Sequence, residues 1–286
     1  MKYIRTHPII STILILLSLF LVTGLALYSY QSSRILARTE VIISQAKPEP
    51  GLETVSFDSL RNLPAPVQKY FRLVLTDGQP ILRKVRLIQE GELMVSPEGS
   101  KYIDFQALHW ARADVPAFLW DASMAIAPAI SIRVLDSYRA GTGSGEVLML
   151  SMIKMGGQED KPELNSAALH RYLAEAVWYP TALLPQNGVE WKYVDENRAM
   201  ATLNDSGISV SLLFSFNERG EVTGIYTENR YGLFGDKFIQ YPWEGKFRDY
   251  RRAGNVMIPF YAEVGWHLPD GFWLFWKGNI ESASYD

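Results

Sequence analysis

Val256-Met257-Ile258-Pro259-Phe260-Tyr261-Ala262-Glu263-Val264-Gly265-Trp266-His267-Leu268-Pro269-Asp270-Gly271-Phe272-Trp273-Leu274-Phe275-Trp276-Lys277 is two alternating runs around one turn signal. Val256, Ile258, Phe260, Ala262, Val264, Trp266 and Leu268 fall on one face of a period-two strand. Pro269-Asp270-Gly271 reads as a type I turn followed by glycine, which predicts a three-residue hairpin loop. That register sets Trp266 opposite Leu274, Val264 opposite Trp276, and Glu263 opposite Lys277 on the other face. A slip of one residue would bury the charges and expose the tryptophans. Phe272 and Trp276 alternate with Trp273 and Phe275, so this hairpin is aromatic on both faces. One face can pack on helices. The other must be covered, form a cavity or meet membrane; a thick, ordinary core is the competing reading.

Outward from this hairpin the pattern repeats. Ile208, Val210, Leu212, Phe214 and Phe216 alternate with Ser209, Ser211, Leu213 and Ser215. Glu218-Arg219-Gly220 suits a three-residue loop with left-handed glycine, pairing Phe216 with Val222 and Leu212 with Tyr226. From Ile81 to Met155, short β-branched and aromatic runs between Gly, Pro and Ser read as further strands. Two helices interrupt them. One runs from Pro66 to Leu75. The other is opened by Asp160-Lys161-Pro162, with Asp160 or Lys161 at the cap, and runs from Glu163 to Tyr179, where Pro180 ends it. Its apolar stripes, Leu164, Ala168, Tyr172, Ala176 and Leu169, Leu173, Val177, leave His170, Arg171, Ala174 and Glu175 nearer the edge. The fold class is therefore α+β: one large curved antiparallel β-sheet, half-barrel-like, with helices packed on one face.

The N-terminal run from Ile9 to Tyr28 contains no charged residue. A helix of that length spans the ~30 Å hydrocarbon core of a bilayer. Lys2 and Arg5 precede it; Arg34 and Arg38 follow. Gly24-Leu25-Ala26 offers a signal-peptide cleavage site, but the run exceeds the ~7–15 apolar residues of a signal sequence. We read it as a retained transmembrane helix. The amine and basic residues at its start favour an N-inside orientation. The bulk of the chain then lies outside the cytoplasm, in a bacterium the periplasm, tethered to the inner membrane. Residues 1–30 are the anchor and 31–55 a polar stalk with a linker at Lys47-Pro48-Glu49-Pro50-Gly51. Residues 56–286 form a single extracytoplasmic domain.

Composition excludes several classes. A net charge of −3 over 286 residues does not suit phosphate neutralisation, so nucleic acid is not an expected partner. With no cysteine there is no disulfide framework, thiolate metal site or thiol nucleophile. The aromatics concentrate late: 12 of the residues from Tyr241 to Asp286 are Phe, Trp or Tyr.

Candidate chemistry is sparse. Gly141-Thr142-Gly143-Ser144-Gly145 lies between strands and lacks a following Gly-Lys-Ser/Thr, so a hairpin turn outweighs a phosphate cradle. His109, His170 and His267 show no spacing that recommends a metal site, and no metal or cofactor is expected. His170, Arg171 and Glu175 could form an acid–base cluster, although Arg171 and Glu175 stand at i and i+4, as in a plain helix ion pair. Glu175 and Asp195, with His170, are the only catalytic candidates. The ligand-binding candidates are Trp266, Phe272, Trp273, Phe275 and Trp276.

Three stretches resemble an uncharacterised bacterial membrane-anchored family of unknown function. They are Leu63-Pro64-Ala65-Pro66-Val67-Gln68-Lys69-Tyr70-Phe71, the run from Arg171 through Trp178-Tyr179-Pro180 to Pro185, and Pro242-Trp243-Glu244-Gly245. The tail from Ile258-Pro259 to Trp276-Lys277-Gly278 is similar to that family's C-terminus. No catalytic residues come with this likeness. The expected architecture is also similar to periplasmic lipoprotein carriers, which hold acyl chains in a half-barrel. The reading favoured is a non-enzymatic, membrane-anchored envelope protein that binds lipid or another apolar ligand. A carboxylate-dependent hydrolase and a scaffold for a protein partner are the alternatives.

Overall fold

The computed structural model describes residues 8–44, 54–99 and 101–286. The linker read at Lys47 to Gly51, and the basic pair Lys2 and Arg5, lie outside the described residues. Among the described residues there are three α-helices: α1 (Pro8–Ile43), α2 (Ala65–Val74) and α3 (Pro162–Glu175). The first meander is β1 (Lys84–Leu93), β2 (Ile103–Arg112), β3 (Ala117–Ala127), β4 (Ile130–Arg139), β5 (Thr142–Met149) and β6 (Ile153–Glu159). The second is β7 (Val189–Asp195), β8 (Arg198–Asp205), β9 (Ile208–Phe216), β10 (Val222–Phe234), β11 (Lys237–Ala253), β12 (Val256–Leu268) and β13 (Gly271–Tyr285).

All thirteen strands make one antiparallel sheet, ordered β6-β5-β4-β3-β2-β1-β13-β12-β11-β10-β9-β8-β7. The first meander runs outward from the centre to one edge, and the second returns from the other edge until β13 pairs with β1. The chain must therefore cross the whole sheet once, and α3 with its following 3-10 turns makes that crossing through the concave side. The sheet curls until its arms meet: the Tyr138 hydroxyl on β4 donates to Asp205 on β8 at 2.6 Å. This is the half-barrel expected, with α2 and α3 inside it and Leu169, Tyr172, Leu173, Val177 and Tyr179 fully buried.

Two features of α3 differ from expectation. The helix gives way at Glu175 to 3-10 turns over Ala176–Trp178, Pro180–Leu183 and Pro185–Asn187. Pro180 excludes Tyr179 from helical geometry, and the tighter turns swing Trp178 and Tyr179 into the core. The residues read as edge positions are inside: His170 and Ala174 are buried, and Arg171 and Glu175 keep only 19% and 13% of their side chains exposed. The helix is enclosed by the curled sheet on more than one side, so it has little solvent edge.

Residues 31–43, read as a stalk, continue α1 and lie on the outer face of the sheet. Ile35 packs on Leu135 and Leu148, and Ile42 on Ala117 and Leu119. Arg34 and Arg38 reach Glu146, itself 4% exposed, at 2.7 and 3.3 Å. The apolar outer residues of β3, β4 and β5 need a cover, and this half of the helix supplies it.

Both hairpins fold as antiparallel pairs, each with one correction of register. In β12–β13, Val264 faces Trp276 and Glu263 faces Lys277 as expected. Trp266 faces Trp273 rather than Leu274, because Leu268 pairs directly with Gly271 across a two-residue turn. A bulge beyond Val264 restores the count. Lys277 binds Glu92 of β1 rather than Glu263, which accepts from Tyr261 at 2.8 Å. In β9–β10, Phe216 faces Val222, but a bulge at Thr223 sets Tyr226 against Leu213, not Leu212. Gly220 takes the left-handed conformation the loop requires, at φ 89°.

Candidate functional site

The concave side of the sheet is not filled. Between α3, β4 and strands β10 to β13 lies an open cavity of about 480 Å³. Its apolar wall is built by alternation on the long C-terminal strands: Trp243 on β11, Trp266 on β12, and Trp273, Phe275 and Trp276 on β13. Trp178 closes the inner end, 6.3 Å from Trp276 between ring centroids, and its indole N–H donates to the Pro259 carbonyl. Phe234, from the β10–β11 tip, packs edge-on to Trp266 at 5.4 Å.

The bulge in β13 explains how both Phe275 and Trp276 reach this wall. One extra residue breaks the alternation, so neighbours in sequence share a face. Of the five ligand-binding candidates, Trp266, Trp273, Phe275 and Trp276 line the cavity. Phe272 does not. The two-residue turn sets it opposite His267 on the outer face, 47% exposed and 4.9 Å from that imidazole.

Four charged side chains line the same cavity: Asp136 from β4, Arg171 and Glu175 from α3, and Arg230 from β10, the last lying against the aromatic wall itself. Arg171 holds both carboxylates, donating from Nε to Glu175 at 2.7 Å and from Nη1 to Asp136 at 2.8 Å. Its guanidinium also lies over Phe118 and Trp120, at 5.1 and 4.9 Å from the ring centroids. Burial pushes the carboxyls of Asp136 and Glu175 above the usual range, against the downward pull of Arg171. Burial pulls Arg171 down too, but its two carboxylates outweigh it and hold the guanidinium above its ordinary value.

Arg230 differs in kind. It is turned inward by a bulge between Thr227 and itself, without which it would share the outer face of Tyr226. Its guanidinium lies over both Trp243 and Trp266, at 4.5 and 5.0 Å from their centroids, and Nη2 donates to the Ala167 carbonyl at 3.2 Å. Burial and the charge of Arg171 bring it down to about 9, so it stays cationic at neutral pH. This arginine was not singled out in the sequence, because nothing there announces a bulge.

The catalytic candidates are not assembled. Glu175 lies in the cavity wall, with Oε2 3.6 Å from His109 Nε2. Asp195 is the last residue of β7, paired with Arg198 at 2.7 Å, and does not line the cavity. His170 is buried on α3 with Nδ1 3.0 Å from the Ser166 carbonyl, and burial lowers it to about 4. His109, fully buried, stacks between Phe118 and Tyr179; burial and Arg171 hold it well below its ordinary value, so it is neutral. His267 is half-exposed and contacts Glu244 at 2.8 Å. Among the described residues no group of His, Asp and Glu is placed to hold a metal ion.

The cavity has a definite mouth. Leu93, Met94 and Val95, leaving β1, and Leu233, Phe234 and Phe238, at the β10–β11 tip, line its outer end. Val95 is 67% and Leu233 49% exposed. The sheet register sets these segments at the same strand ends as the β5–β6 turn. Gln31 of α1 reaches the Met152 carbonyl in that turn, while Ile43 meets Arg112 at the opposite end. The exposed, apolar first half of α1 thus leaves the sheet at the end where the cavity opens.

No curated protein matches the chain. Two solved structures are similar in shape. One is an outer membrane lipoprotein-sorting protein domain from Vibrio parahaemolyticus, with TM-score 0.39, 8% identity, and cover of 71% of this chain and 86% of that one. The other is a LolA superfamily protein from Nitrosomonas europaea, with TM-score 0.39, 9% identity, and cover of 81% and 94%. The family model that matches spans residues 61–285, from just before α2 to the end of β13, and on that extent the chain belongs to the family of unknown function DUF6920.

Proposed function

We propose that this protein is a non-enzymatic, membrane-anchored envelope protein that binds a lipid or similar apolar ligand in its concave sheet. The observation that carries the reading is the open cavity of about 480 Å³ walled by six tryptophans, Trp120, Trp178, Trp243, Trp266, Trp273 and Trp276. Ligand sites of ~300–1,000 Å³ are typically apolar with a few placed polar groups, and this cavity has that make-up. Trp266, Trp273, Phe275 and Trp276 are the contact residues in this proposal. The first half of α1 is long and apolar enough to cross a bilayer. In the proposed arrangement it anchors the chain in the inner membrane, with the sheet on the periplasmic side and the mouth facing lipid.

A hydrolase built on Glu175 and Asp195 has less support, since a working pair must reach one substrate atom and only Glu175 borders the cavity. Native mass spectrometry of the full chain extracted from membranes tests the proposal. A bound mass matching a lipid or fatty acid is the expected result. A ligand-free spectrum, together with failure of added amphiphiles to quench tryptophan fluorescence, overturns it.

A further inference from the structure

Resting on the lipid-binding reading above, a narrower statement follows from the polar atoms of the cavity. Among them are three buried N–H groups that have no acceptor: Arg230 Nε, Trp243 Nε1 and Trp273 Nε1. All three side chains line the cavity. The wall holds two cations and two carboxylates, but the contacts are uneven. Arg171 binds both Asp136 and Glu175. Arg230 forms no ion pair within 4.0 Å among the described residues, and its one hydrogen bond goes to a backbone carbonyl. One buried carboxylate oxygen, Glu175 Oε2, also lacks a hydrogen bond, but it faces His109 at 3.6 Å rather than Arg230.

A half-buried guanidinium whose Nε is buried without an acceptor and which has no direct ion pair is costly, and the cost falls when an anion supplies acceptors in a charge-assisted contact. Two tryptophan rings lie against this guanidinium, and its Nε is left for such a contact. The geometry points to an acidic single-chain amphiphile as the ligand. Its carboxylate or phosphate meets Arg230 and the indole N–H groups, and its chain lies along Trp266, Phe275 and Trp276. The cavity's volume, toward the lower part of the range for small-ligand sites, favours one chain over a bulky multi-chain lipid.

The test uses the full chain in detergent, stripped of lipid, and reads quenching of its tryptophans. The probes are dibrominated stearate, its methyl ester, and a dibrominated lysophosphatidate. An acid is expected to quench at a concentration about tenfold or more below the ester, as a charge-assisted hydrogen bond implies. Whichever acid does so at lower concentration identifies the acidic group as carboxylate or phosphate. Arg230→Gln is expected to abolish the preference while the ester still binds, and Arg230→Lys to keep part of it. Equal quenching by acids and ester in the native protein overturns the inference and leaves the lipid-binding reading standing. No quenching by any probe overturns both. Because the acid–ester comparison is made on the unaltered chain, a variant that fails to fold does not decide the matter.

Discussion

Arg171 holds two carboxylates at once, Glu175 13% and Asp136 36% exposed, and that sharing sets the consequence of losing it. Arg171→Leu leaves Asp136 and Glu175 in the cavity wall without their cation. Breaking a buried pair costs about 3–5 kcal/mol; Glu175 carries most of it, solvent screens Asp136, and we expect a fall of about 3 kcal/mol in urea unfolding near neutral pH. At lower pH the deficit shrinks, because both carboxyls are raised by burial and protonation relieves their charge. His170 makes the opposite contribution. Its pKa is lowered to about 4 from 6.5 in the folded state, through burial first and Arg230 second. The unfolded chain therefore binds the proton first, and stability is lost as pH falls from 6.5 toward the folded value. Between about pH 7 and about pH 5 this single residue accounts for about 2 kcal/mol of that loss. His170→Gln is expected to flatten the unfolding free energy over that interval by this amount. An unchanged slope would show that the imidazole is already protonated when buried.

At the scale of elements, packing distances decide which glycines are replaceable. Gly143 on β5 lies under the start of α3, where an added Cβ would sit 2.9 Å from the Leu164 carbonyl and 3.0 Å from Ala168 Cβ. Gly143→Val must push the helix off the sheet, at a cost of about 1–3 kcal/mol. Gly156 on edge strand β6 has open space around it, so Gly156→Ala is expected to leave the melting temperature unchanged or slightly raised. Calorimetric melts of the two variants check both expectations. The sequence could show that Gly141 to Gly145 is a hairpin and that α3 exists. It could not show that they touch, since helix-on-strand contact depends on how far the sheet curls. The same limit governs the β12–β13 hairpin. Alternation and turn residues placed Val264 opposite Trp276 correctly, because each signal is local. The bulge that turns Phe272 out and brings Phe275 and Trp276 together answers the curvature of the whole sheet, which no local pattern encodes. Arg230 was illegible for this reason: counted by alternation it belongs with Tyr226 on the outside.

For the whole molecule, the decisive relation is between α1 and the cavity mouth. A helix of 36 residues is ~54 Å long at 1.5 Å per residue, nearly twice the thickness of a hydrocarbon core. Its second half is fastened to the sheet by Ile35, Ile42 and the Arg34–Glu146 and Arg38–Glu146 pairs. The cavity is thereby held at a fixed attitude to whatever the first half enters. Ile126, Ile130, Ile153 and Met155, all exposed, cluster at the turns of the same strand ends. Apolar tips beside an apolar helix are the features expected where a domain rests on lipid. The chain contains no cysteine, so single cysteines carry a spin label without background. In lipid nanodiscs, labels at Leu233→Cys on the mouth and Ile153→Cys on the β5–β6 tip should be relaxed by molecular oxygen, which partitions into lipid. A label at Val115→Cys, between β2 and β3 at the far strand ends, should be relaxed by a water-soluble nickel chelate. A mouth label that behaves like the Val115 label would mean that the cavity opens to water. Ligand would then have to arrive from solution rather than from the bilayer.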